Sequence, residues 1–173
     1  MILAVDVHYR DDRARVAGIL FRDWHDAWHE AERVLECEVA GTYRPGEFFR
    51  RELPCIGRLL KEINEPLECI VVDGFVYLGR ERRAGLGKYL FDALNGQVPV
   101  IGVAKTAFRD TPKTTAVLRG RSKRPLYVTA TGISDVLARE CVLAMHGEHR
   151  IPTLLRRVDR LCRQGSAPGR PSA

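Results

Sequence analysis

Asp6 interrupts the apolar run Ala4-Val5-Asp6-Val7, and Asp73 ends another, Ile70-Val71-Val72-Asp73. Burying an unpaired carboxylate is costly, so two of them in otherwise charge-free strand patterns require a reason. Taken singly, each reads as a turn cap or as the partner of a nearby arginine. Taken together they admit a second reading, a divalent cation held between neighbouring strands. Ligands of open α/β sheets sit beyond the carboxyl ends of the strands, which is where Asp73 falls. Oxygen-only ligands select hard ions such as Mg2+ or Mn2+, and such ions clamp phosphoryl oxygens and generate a nucleophilic water. Glu52, early in a helical segment, is a third acidic candidate, although on its own it reads as a surface group. Lys105 follows the apolar run Val100-Ile101-Gly102-Val103-Ala104 and could hold a phosphate as a point charge, or stand as an exposed lysine.

The elements that must position these groups follow from hydrophobic periodicity. Residues 2–9, 14–22 and 33–40 alternate and are joined by short polar links, which predicts an antiparallel meander of three strands. A helix is predicted over 47–64, with Pro54 expected to kink or restart it. The runs 67–72 and 98–103 are almost wholly apolar and fit strands buried on both faces. A helix is predicted between them at 85–94. Further strands are expected at 115–119 and 125–130, a helix capped by Ser134 over 135–146, and a last helix over 153–163. The fold class is α/β, antiparallel strands first and parallel crossovers after, with helices on both faces. One domain is expected over residues 1–163, followed by a flexible Gly/Ser/Pro-rich tail, 164–173.

Composition narrows the function classes. The 173 residues include 28 Lys plus Arg against 22 Asp plus Glu, a net charge of +6. Lys105, Arg109, Lys113, Arg119, Arg121, Lys123 and Arg124 form a one-sign run broken only by Asp110, which suits phosphate contact or a solvated loop. No apolar run approaches the ~20 residues of a membrane span. Met1 leads directly into Ile2-Leu3-Ala4-Val5 without a charged leader, so a cytoplasmic chain is expected. The five cysteines are widely spaced without a CxxC pair and read as reduced, mostly buried thiols. His25 and His29 lack the glutamate of a zinc-protease helix. No nucleophile elbow, Walker loop or dinucleotide fingerprint occurs.

The segments AVDVHY, TYRPGEFFRRELP, IVVDG, AGLGKYL, VPVIGVAK, RPLYVTATGIS and HRIPTLLRRVD, in this order, resemble endonuclease V over nearly the whole chain. The resemblance implies a ribonuclease H-like fold and a Mg2+- or Mn2+-dependent endonuclease. Such enzymes cut DNA, and in some cases RNA, near a deaminated purine, leaving a 3′-hydroxyl and a 5′-phosphate. It assigns Asp6 and Asp73 as metal-binding aspartates and Glu52 as the catalytic glutamate that completes the metal triad. Lys105 becomes the lysine near the scissile phosphate. Tyr43, with Arg44 and Pro45, becomes the wedge that fills the gap left by an extruded base. Gly46, Gly74 and Gly85 become backbone positions shaping the lesion pocket. These roles agree with the physics of base extrusion, in which an aromatic wedge offsets lost stacking and glycines let the backbone approach the base.

The chain departs from the family pattern at several places. Ala130-Thr131 stands where the family usually has Gly-His, removing a histidine thought to assist at the metal site. A second family histidine is missing near 79–83, Val76 stands at a pocket glycine, and the usual extension before the first strand is absent. These departures motivate two alternatives to a deaminated-purine endonuclease. One is a nucleic-acid-binding homologue with weak or lost catalysis; the other is a nuclease for a different lesion or junction. Either form is expected to act as a monomer on nucleic acid and not at a membrane.

Overall fold

The computed structural model describes residues 1–10, 13–38 and 49–164. Three strands open the chain: β1 (Ile2–Arg10), β2 (Arg13–Phe21) and β3 (Ala31–Glu38). They pair antiparallel, with Asp6 opposite Ala17 and Val16 opposite Leu35, as their alternation predicts. Helix α1 (Phe49–Leu60) then leads to β4 (Cys69–Asp73). A small hairpin follows, β5 (Tyr77–Leu78) with β6 (Arg83–Ala84), and then α2 (Leu86–Ala93) and β7 (Val100–Ala104). The chain continues through β8 (Ala116–Val117) and β9 (Leu126–Thr131) and ends in α3 (Asp135–Ala144) and α4 (Thr153–Gln164).

Seven of these strands form one sheet in the order β3-β2-β1-β4-β7-β9-β8. β4 is parallel to both β1 and β7, and the other pairings are antiparallel. The alternation within each strand divides the core into two layers. Ile2, Ala4, Val71, Ile101 and Val103 face α3 and α4. Leu3, Val5, Ile70, Val72 and Val100 face α1 and α2. This is the mixed, doubly covered sheet that the resemblance implied, with the three antiparallel strands first. The β5–β6 hairpin was not legible in the sequence, because two-residue strands carry no period.

Helix α1 runs through Pro54 without interruption, so the helix does not restart there. Pro54 lies in the second turn on the exposed side, while Cys55, Ile56 and Leu59 bury the opposite stripe. That buried face holds the helix to the sheet although one amide donor is missing. Ser134 caps α3 as predicted, its Oγ accepting from the Leu137 amide at 3.1 Å. The five cysteines are free, and all but the half-buried Cys141 are buried.

Candidate active site

Strands β4 and β7 end beside the middle of the parallel strand β1, which runs on to Arg10. Val5 is level with Val72, and Asp73 is level with Val103, so Asp6, Asp73 and Lys105 follow one another across β1, β4 and β7. Their positions share the parity of Ala4, Val71 and Val103, which directs them toward the layer containing α4. Helix α4 brings in a fourth group. Its buried stripe includes Leu154, Val158, Leu161 and Cys162, and Asp159 lies along it at the sheet edge. One oxygen from each of Asp6, Asp73 and Asp159 lies within 4.8 Å of the others.

Lys105 and Arg163 hold this group. The Lys105 ammonium donates to Asp73 Oδ2 at 2.5 Å and to Asp159 Oδ1 at 3.3 Å. Arg163 Nε donates to Asp159 Oδ2 at 3.2 Å. The Val7 amide donates to Asp6 Oδ1 at 2.8 Å. Beneath the carboxylates, Val71, Val103, Leu126, Leu155 and Val158 line a cavity of about 20 Å³, room for roughly one water.

The electrostatics of the site are those of acids crowded in a poorly solvated place. Burial, then the Asp73 charge, pushes the Asp6 carboxyl up to about 6, against the pull of Lys105. Burial, followed by the charges of Asp6 and Asp73, pushes Glu52 up to about 8. Burial opposes the charged form of Lys105, but its hydrogen bond to Asp73 and the three nearby carboxylates outweigh that and raise its pKa. Asp159 is held below the usual carboxylate range, because Lys105 and Arg163 together overcome its burial. A cluster that resists full ionisation, with three carboxylate oxygens in reach of one point, fits a hard divalent cation at 2.0–2.6 Å per ligand.

The sequence-derived candidates fare differently. Asp6, Asp73 and Lys105 meet. Glu52, the expected third metal ligand, feels the charges of Asp6 and Asp73 but stands outside the group within 4.8 Å, and Asp159 takes the third place there. Asp159 ends the segment HRIPTLLRRVD, and its signal was an acid set among the apolar positions Leu155, Val158 and Cys162 of a helix. Tyr43, Arg44, Pro45 and Gly46 lie outside the described residues. Gly74 follows Asp73 with φ +144°, a conformation that L side chains rarely adopt. Gly85 precedes α2, where a Cβ would meet the Phe75 carbonyl oxygen at 2.5 Å.

The structure places two of the departures, and one residue of the basic run, away from the roles considered for them. Thr131 pairs with Val100, at the far end of β7 from Lys105, and its Oγ1 accepts from the Tyr77 hydroxyl at 3.4 Å. A histidine there would therefore stand away from the carboxylates. Val76 sends its side chain into the core, fully buried in the layer of Leu90 and Val100, rather than into a pocket. Within the basic run, Arg119 is not a phosphate contact. The residue is 5% exposed, and its guanidinium donates to the carbonyls of Met145, Gly147, His149 and Arg150.

Known proteins are similar to this chain in sequence and in fold. The family model for Endonuclease V matches residues 1–160. The Endonuclease V of Thermococcus kodakarensis is 34% identical over 161 residues, covering 92% of this chain and 76% of that protein. The crystal structure of Endonuclease V from Streptomyces avermitilis superposes with a TM-score of 0.74 at 31% identity, over 94% of this chain and 79% of the other. Ciona intestinalis Endonuclease V, solved with a 24mer DNA containing an inosine followed by a ribo-adenosine, gives a TM-score of 0.76 at 18% identity, over 94% and 84%.

Proposed function

This chain belongs to the endonuclease V family of phosphodiester-cleaving nucleases, and on that premise we propose which residues perform the reaction and on which substrate. The substrate is DNA, or RNA, carrying a deaminated purine such as inosine, cut to leave a 3′-hydroxyl and a 5′-phosphate. The observation that carries this reading is the convergence of Asp6, Asp73 and Asp159 with Lys105 at the carboxyl edge of the parallel strands.

Asp6, Asp73 and Asp159 hold the cation, Mg2+ or Mn2+, and Glu52 completes the acidic set from α1. When bound, such an ion supplies Lewis acidity toward a phosphoryl oxygen and activates water. Lys105, released from Asp73, places its ammonium against the phosphate and stabilises charge developing there. Arg163 fixes the orientation of Asp159. Gly46, Gly74 and Gly85 give an extruded base close access to backbone, with Tyr43, Arg44 and Pro45 forming the wedge on the duplex. The chain acts as a monomer in the cytoplasm, and no helix among the described residues is long and apolar enough to cross a membrane. A binding protein without catalysis is the weaker reading, because Thr131 and Val76, which motivated it, lie off the cluster.

The test is nicking of inosine-containing DNA and RNA with Mg2+ or Mn2+, beside uracil, abasic, mismatch and flap substrates, for wild type and Asp73→Asn. Inosine-dependent nicking that needs the cation and drops at least about 100-fold in the variant is expected, as for loss of a principal electrostatic group. Undiminished activity in Asp73→Asn refutes the ligand assignment.

A further inference from the structure

Arg119 is a buried cation that the mechanism leaves unused. It stands on the connection between β8 and β9, and its partners are backbone carbonyls rather than carboxylates. A buried charge persists only where its polar atoms are satisfied, so where those donors go is informative. All of them go to one short segment. One terminal nitrogen donates to the His149 carbonyl at 2.9 Å and to that of Arg150 at 3.5 Å. The other donates to Gly147 at 3.3 Å and to Met145. These carbonyls belong to the link between α3 and α4, residues 145–152. The link closes on itself, because the Thr153 amide donates to the His146 carbonyl at 2.9 Å and the Thr153 hydroxyl lies 3.0 Å from His146 Nδ1. It is thus a closed loop whose carbonyls turn toward one guanidinium. Gly120, the next residue, has φ +59°, and a Cβ there would collide with the Glu148 carbonyl, so the turn presses against the loop with no room for a side chain.

Two routes lead from this loop to the carboxylate cluster. Arg150, whose own carbonyl Arg119 holds, donates to the Lys105 carbonyl and, at 2.8 Å, to that of Pro125. Thr153, which closes the loop, is also the first residue of α4, and Asp159 lies on that same helix. Lys105 and Asp159 in turn meet at 3.3 Å. One buried arginine therefore stands behind both an ammonium and an acid that reach the cluster from different elements.

We infer that Arg119 is a positioning residue for the reaction: it templates the 145–152 loop, and through Arg150 and the start of α4 it sets where Lys105 and Asp159 stand. What those two groups do rests on the nuclease reading; how they are held rests on the hydrogen bonds. Lysine is a poor substitute at this place, because an ammonium is a compact point charge whereas the planar guanidinium spans carbonyls on several sides. At 5% exposure Arg119 is closed to a phosphate, so its loss is felt in turnover and not in substrate binding. A reacting group misplaced by about 1 Å by a distant substitution costs up to about 100-fold in rate.

The experiment compares the full chain as wild type, R119K, R119M, R150M, R119M/R150M and T153V. L20A, buried in the layer facing α1, is the control for lost stability alone. Thermal melts fix an assay temperature at which each protein is folded. Single-turnover nicking of an inosine duplex under saturating Mn2+ is read beside the affinity for the same duplex in EDTA. R119K and R119M are expected to slow nicking roughly ten- to hundredfold and T153V about threefold, while affinity stays within about twofold of wild type. L20A should nick at the wild-type rate. R119M/R150M should be within about twofold of the slower single variant, because both side chains lie on one path and their losses do not multiply. Hydrogen exchange without substrate or metal gives a readout independent of cleavage. In R119K the loss of amide protection should spread from 145–153 to the peptides around Lys105 and Pro125, and L20A should leave all three unchanged. A wild-type rate in R119K, multiplied losses in the double variant, affinity falling as much as rate, equal slowing in L20A, or exchange confined to 145–153 overturns the proposal. If both Arg119 variants fail to fold, T153V carries the test, and wild-type rate and exchange there overturn it. A wild type that cuts no substrate sinks the nuclease reading alone, since the exchange pattern still decides whether Arg119 holds Lys105.

Discussion

Lys105 and Asp73 form an ion pair of 2.5 Å, end to end across neighbouring parallel strands, and the ammonium lies also 3.3 Å from Asp159. The lysine thus occupies the place where a cation bound to the same carboxylates is wanted. In the mechanism proposed above, lysine and divalent ion compete for Asp73, and the lysine exchanges that partner for the phosphate.

Lys105→Met separates the two roles. Removing a positive charge 2.5 Å from Asp73 and 3.3 Å from Asp159 is worth at least about 1 kcal/mol in water and more at lower dielectric. Mn2+ affinity, measured by calorimetry without nucleic acid, should therefore tighten roughly five- to tenfold. Nicking under saturating metal should nevertheless fall about 100-fold. Weaker metal binding in the variant would show that Lys105 organises the acids rather than competing for them.

Asp159→Asn should lower nicking by at least about 100-fold and weaken Mn2+ binding, because it removes one of the three converging oxygen donors. The melting temperature should stay within a few degrees of wild type, since Asp159 is partly exposed and the isosteric amide retains an acceptor for Lys105. Glu52→Gln is expected to reduce nicking comparably while perturbing metal affinity less, because Glu52 stands farther from the cluster.

The raised carboxyl groups set the pH dependence. Glu52 goes from an ordinary 4.5 to about 8, and Asp6 from 3.8 to about 6. A carboxyl whose folded pKa is raised contributes stability that is full below the unfolded value and is lost as pH rises to the folded one. In EDTA the melting temperature attributable to this site should therefore decline between pH 4.5 and 8. Cation binding needs the ionised acids, so Mn2+ affinity should rise by up to about tenfold per unit until Asp6 is ionised near pH 6, and more weakly from there to pH 8 as Glu52 ionises. Calorimetric melts with and without Mn2+ check both signs; a metal-free protein that gains stability from this site over that range would contradict the stated burial of Glu52 and Asp6.

Arg150 positions Lys105 from behind. Its guanidinium donates to the Lys105 carbonyl and, at 2.8 Å, to that of Pro125, tying the end of β7 to the start of β9. Arg150→Ala should cost roughly 1–3 kcal/mol, by leaving partly buried carbonyls without donors. It should also reduce kcat more than substrate affinity. Denaturant melts and steady-state nicking read these separately.

Much of this architecture was legible in the residues alone. Alternation over β1 to β3 and the short apolar runs of β4 and β7 carry their own burial, so strand pairing and the edge position of Asp6, Asp73 and Lys105 followed from local pattern. The β5–β6 hairpin and the uninterrupted α1 did not, since the first is too short to show a period and the second is decided by the face it buries.

The amino-acid sequence by itself determined which strands would be buried, and therefore where a carboxylate would be out of place and in need of a cation. Only the tertiary structure decided who joins it there. Asp159 reaches Lys105 from 54 positions later because α4 packs across β1 and β2, and Arg119 leaves the basic run to bind carbonyls inside the fold. Periodicity reports how an element divides itself between water and core. The company a charge keeps depends on which other elements are packed against it, and that is set through space rather than along the chain.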